Sequence, residues 1–98
     1  MIYVIATLEI RPGSRDAVVA AATPCLFGTR DEDGCLRYDL LVDVLDETRL
    51  TFVEVWESRE ALQAHFSAPH LVAWRAARAP YVVSARVEIV HSDKVETL

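Results

Sequence analysis

His65 and His70 are the side chains of this sequence best suited to moving protons near neutral pH, where imidazole titrates. They stand in "VEVWESREALQAHFSAPH", residues 53–70, with Trp56, the acids Glu54, Glu57 and Glu60, and Ser58. Five positions along an unbroken helix is about 500°, so the two imidazoles should point roughly 140° apart, and Pro69 disturbs even that. The i, i+4 spacing of paired helical metal ligands is missing, so no metal site is expected. Glu54 is flanked by Val53 and Val55. A carboxylate buried there must be paired, bind a ligand, sit at an interface or take up a proton. Ser58 is explained as a helix cap, and no Gly-x-Ser-x-Gly or glycine-rich phosphate loop is present, so nucleophilic and phosphoryl-transfer chemistry lack support. Structural roles compete with each functional one: His65 can sit at the edge of a core, Trp56 can close one end of it, and Trp74 reads as core.

These residues must be positioned by one small domain, because 98 residues supply a single core. The domain is expected to span 1–98. A hydrophobic fraction of 52% exceeds what such a core needs and implies apolar surface available for self-association. A net charge of −5 with scattered arginines argues against a nucleic-acid partner. No apolar run reaches the length of a membrane span, and Met1–Ile10 lacks a basic region and a cleavage site, so a cytoplasmic protein with no membrane association is expected. Cys25 and Cys35 are too few for a disulfide framework and read as small buried hydrophobes.

The alternation of Ile2, Val4, Ala6, Leu8 and Ile10 predicts a first strand, ended by Pro12-Gly13-Ser14. Ser14 is expected to cap a helix carrying Val18, Ala21 and Ala22, which Pro24 should kink or divide. A polar turn, Asp31-Glu32-Asp33-Gly34, precedes a second strand through Leu36–Val44, and Asp46-Glu47-Thr48 reads as a hairpin loop. The third strand, Leu50–Glu57, places Val53 and Val55 on one face and Phe52, Glu54 and Trp56 on the other. A helix capped by Ser58 runs through His65 and Phe66, Pro69 interrupts it, and a further helical piece carries Leu71 and Trp74 to Pro80. Val82–Val90 is the fourth strand. The order βαββαβ predicts an α+β ferredoxin-like sandwich: a four-stranded antiparallel sheet with the helices on one face. With Val53 and Val55 in the helix-side core, the open face would gather Tyr3, Ile5, Phe52, Glu54 and Trp56. A second copy is the expected cover, with Arg86 pairing Glu54 or Glu88 across the seam.

Three segments, "IRPGSRDAV", "DGCLRYDLLVD" and "VEVWESREALQAHFSAPHLVAW", together resemble the antibiotic biosynthesis monooxygenase family, particularly its small bacterial quinol monooxygenases, over nearly the whole chain. The resemblance implies a dimeric α+β barrel and a cofactor-independent monooxygenase acting with molecular oxygen on a small aromatic hydroxyl compound, a quinol or polyphenol. It requires neither flavin nor metal, because the deprotonated substrate supplies the electrons. The cavity would lie between sheet and helices near Trp56, His65 and His70. His65 would accept the proton, His70 would assist by hydrogen bonding, and Trp56 would form the aromatic wall. Tyr38, Phe52, Glu54 and Phe66 would contact the substrate. Haem-degrading members differ, with asparagine, tryptophan and histidine where Thr7, His65 and Arg75 stand or nearly so. Polyphenol oxygenases carry asparagine at the place of Phe52, which offers no hydrogen bond to a substrate oxygen. The alternative is a non-catalytic protein of the same dimeric fold that binds a small ligand or serves a partner.

Overall fold

Strand β1 (Ile2–Ile10) lies at the centre of the sheet because its even positions carry the apolar side chains of the core. A computed structural model describes residues 1–98. After β1 come α1 (Arg15–Arg30), β2 (Cys35–Asp43), β3 (Asp46–Trp56), α2 (Arg59–His65), α3 (Pro69–Arg78) and β4 (Val82–His91). The strands pair antiparallel in the order β2-β3-β1-β4, the ferredoxin-like arrangement, with the helices against one face. No helix is long and apolar enough to cross a membrane.

The register between β1 and β3 overturns the expected facing of the third strand. Ile2 pairs with Trp56, Val4 with Glu54 and Ala6 with Phe52. Directly paired residues share a face, so Phe52, Glu54 and Trp56 turn toward the helices and are 3%, 6% and 0% exposed. Val53 and Val55 lie on the open face with Tyr3 and Ile5. From Phe52 to Trp56 both faces of β3 carry large apolar side chains, so alternation alone could not choose between them; pairing with β1 chooses. Glu54 therefore faces the helix side instead of a sheet-face seam, and Arg86 pairs with Glu88 at an exposed position.

Three local expectations also change. Pro24 leaves α1 undivided, since Pro24 and Ala20 are both exposed and the carbonyl that loses its N–H partner faces water. Ser14 does not cap α1 through its side chain; its hydroxyl donates to the Arg11 carbonyl at 2.6 Å. The hairpin turns at Val44-Leu45, where the Asp43 carboxylate accepts from the Leu45 N–H at 2.8 Å, and Asp46 already begins β3. Ser58 does cap α2: its hydroxyl accepts from the Ala61 N–H at 3.1 Å. Pro69 opens α3 at its first turn, as expected of proline.

Trp56, Leu8, Leu50 and Leu62 are fully buried and each contributes about 1.5–3 kcal/mol or more by leaving water. The helices leave β4 bare. Val83 and Val87 are 64% and 56% exposed, and the open sheet face still presents Ile5 and Val90 at 42% and 47%.

Candidate active site

The chain turns sharply between His65, the last residue of α2, and His70, in the first turn of α3. Ala68 precedes proline and takes the extended conformation, φ −65° and ψ 138°. The divergence expected of an unbroken helix is thereby removed, and the imidazole centroids lie 6.2 Å apart. Both rings meet one carboxylate that sequence reasoning treated only as part of a polar turn. His65 Nδ1 and His70 Nε2 lie 2.7 and 2.8 Å from Glu32 Oε2.

Two backbone features make that junction. Gly34, at φ +81°, lets the turn carrying Glu32 fold back beside α2, where a Cβ would meet Ala61 Cβ at 2.6 Å. Gly28, on α1, lets the His70 ring lie against the helix: a Cβ there would stand 2.7 Å from His70 Cγ. Neither role follows from local pattern, since both are set by segments distant in sequence.

A carboxylate only accepts hydrogen bonds, so each ring nitrogen facing Glu32 is a donor. His65 thus carries its proton on Nδ1 and keeps a lone pair on Nε2, which no hydrogen bond engages. The ring is 2% exposed, packed on Trp56 at 4.9 Å and edge-on to Tyr38 at 5.4 Å between centroids. Burial holds the His65 pKa below the ordinary imidazole value, opposed by the Glu32 carboxylate. The neutral, proton-accepting form is therefore favoured near neutrality.

Glu54 is the second titratable group. Its Oε1 accepts from the Trp56 indole N–H at 3.0 Å. Burial pushes its pKa up to about 7, with the indole bond acting in the other direction and the Glu32 charge adding to the rise. Tyr38 is raised as well, through burial and then the charge of Glu54, so its phenol stays neutral.

Between sheet and helices lies a cavity of about 100 Å³ lined chiefly by apolar groups. His65, Glu54, Tyr38, Phe52 and Phe66 all border it, as does Trp74. Arg75 and Arg78 border it from α3, on the helix face they share with Leu71 and Trp74. The spacing of those two cations was a readable sign that the sequence reading passed over. Trp56 and His70 do not border the cavity. Trp56 lies beneath it as support for Glu54 and His65, and His70 holds Glu32 from the far side.

Together these features define a ferredoxin-like α+β protein with a small apolar cavity bordered by a buried imidazole and a buried acid. The chain belongs to the antibiotic biosynthesis monooxygenase family, whose sequence profile matches residues 1–77. Rv0793 of Mycobacterium tuberculosis, which carries a provisional monooxygenase name, is 39% identical over 75 residues, or 76% of this chain and 73% of that protein. Its solved structure superposes with a TM-score of 0.88 at 31% identity over 98% of both chains. YgiN of Escherichia coli K12, named as a probable quinol monooxygenase, is 29% identical over 92% of this chain and 96% of its own. The Synechocystis protein sll1783 is 29% identical over 70% of this chain, and the match spans 47% of its length.

Proposed function

We propose that the protein is a monooxygenase for a monocyclic quinol or related small polyphenol, working without a bound cofactor. The observation that carries this reading is His65: Glu32 fixes its Nδ1–H, leaving the Nε2 lone pair as the free proton acceptor of a residue that borders an apolar cavity. A cavity of about 100 Å³ is smaller than the ~150 Å³ that holds benzene in an engineered protein interior, so a fused polycycle is excluded and a single ring enters only as the lining side chains move apart. His65 Nε2 takes the proton of a ring hydroxyl. Arg75 and Arg78 favour the resulting anion electrostatically. Glu54, neutral below its pKa of about 7, does not repel it. Tyr38 and Phe52 supply aromatic wall for the ring. The substrate anion supplies the electrons to oxygen: one oxygen atom enters the ring, the other leaves as water, and the quinol becomes a hydroxyquinone. Quinol plus O2 equals hydroxyquinone plus water, with no external reductant.

A second copy completes the assembly by packing its sheet on the open face, where Tyr3, Ile5 and Val90 otherwise meet water. A reducing cytoplasm suits the free thiols Cys25 and Cys35.

Oxygen uptake with a panel of hydroquinones tests the reaction, with 18O2 labelling of the product. The wild type is expected to incorporate one labelled atom, and His65→Ala to lose roughly a hundredfold or more in rate at unchanged circular dichroism. Equal rates in the two proteins would refute the assignment. Quinols that raise the melting temperature without oxygen uptake would favour a ligand-binding protein in its place.

A further inference from the structure

The geometry points to a divalent-cation site formed by Glu32, His65 and His70, lying behind the imidazole that serves the cavity and suited to Zn2+, Co2+ or Ni2+. One carboxylate oxygen and one nitrogen from each ring lie within 4.8 Å of one another. Two imidazoles with one carboxylate form an N2O donor set that matches these borderline ions and not Mg2+ or Ca2+, which demand oxygen ligands. The three donors come from three segments held in place independently: the turn after α1, the end of the Ser58-capped α2, and the first turn of α3 seated on Gly28. His70 and Glu32 keep 23% and 16% of their side-chain surface, which leaves a path for a hydrated ion and room for a water ligand.

Glu32 and His70 do not border the cavity, so an ion here would not touch a substrate. Its effect would pass through His65. Without the ion, the carboxylate accepts a proton-bearing nitrogen from each ring at 2.7 and 2.8 Å. An ion at about 2.0–2.2 Å from each donor requires lone pairs on His65 Nδ1 and His70 Nε2. Each ring offers that lone pair when its proton sits on its other nitrogen. His65 Nε2 then carries the proton and becomes a donor. Resting on the reaction proposed above, the bound ion removes the proton acceptor, and the site regulates the chemistry from outside the cavity.

The test uses the tag-free full chain, freed of metal with a chelator and titrated with Co2+, whose visible absorption reports nitrogen coordination without any need for turnover. One equivalent per chain is expected, displaced by Zn2+. Glu32→Gln and His70→Gln, each checked for folding by thermal melting, should weaken binding by more than roughly tenfold. Gly28→Ala, which keeps all three ligands and displaces the His70 ring, should weaken it too. No saturable binding to the wild type, or equal binding by Glu32→Gln and His70→Gln, would overturn the site. Stoichiometric Zn2+ that leaves oxygen uptake untouched would overturn the regulation while leaving the reaction standing. Failure of uptake in the metal-free protein would count against the reaction, and the Co2+ titration would still decide the site.

Discussion

Replacing Glu54 by glutamine should reshape the pH dependence of stability. Folding raises this carboxyl from 4.5 to about 7, chiefly because burial disfavours its charged form. Between those values the folded state holds a proton that the unfolded state has released, so stability falls as pH rises through that interval. The sign is that of a raised acid: the contribution is complete below pH 4.5 and lost above about 7. A displacement of this size is worth about 3 kcal/mol, a large share of the roughly 5–15 kcal/mol that holds a small domain together. Glutamine is nearly the same shape, stays neutral, and its amide oxygen can still accept from the Trp56 indole. Urea unfolding followed by tryptophan fluorescence, at pH 4.5 and pH 8 and at one fixed protein concentration, measures the effect. Glu54→Gln should match the wild type to within about 1 kcal/mol at the lower pH and exceed it by about 3 kcal/mol at the higher, on the order of 10–20 °C in Tm. Two stability curves that run parallel across this range would refute the claim that Glu54 is a buried acid resisting ionisation.

Other measurements probe neighbouring parts of the structure. With quinol as substrate, wild-type activity should decline as pH rises through about 7, where Glu54 ionises and repels the substrate anion, and Glu54→Gln should abolish that decline. Trp56→Phe removes the bond that favours the charged carboxylate, so the same decline should move to higher pH; a shift to lower pH would contradict the role given to the indole. Ser58→Ala should cost about 1 kcal/mol of stability in thermal melting through loss of the Ala61 N–H acceptor, and no change would show the cap to be idle. Sedimentation at micromolar concentration should give a dimer for the wild type and a monomer for Ile5→Glu, which plants a charge in the open sheet face; a monomeric wild type would end the packing proposal.

Patterns with a short period were readable directly. Alternation located all four strands, the pair Ser58 and Pro69 marked where α2 and α3 begin, and the βαββαβ order led to the sheet. What alternation lacked was the facing of β3, because Val53 and Val55 are as apolar as their neighbours and only pairing with Ile2, Val4 and Ala6 settles the matter. The same error placed Glu54 outside the core, although its apolar flanks had already marked it as unusual. His65 was legible as a type of residue, whereas Glu32 was not, since a turn acid gives no local sign that two imidazoles will meet it. Pro24 shows the reverse limit: its usual effect on helices is cancelled by exposure, a property of the folded state.

The indole of Trp56 and the acid of Glu54 sit two places apart on one strand, so the pleat itself brings them together. The junction at Glu32 has a different origin, joining it to partners 33 and 38 places away, and it exists only while α2 and α3 stay docked. Heat that loosens those helices will dismantle the proton acceptor and uncover Glu54 while the strands remain paired. Turnover should then vanish ahead of the cooperative melt, making catalysis a more sensitive thermometer of this molecule than its strands.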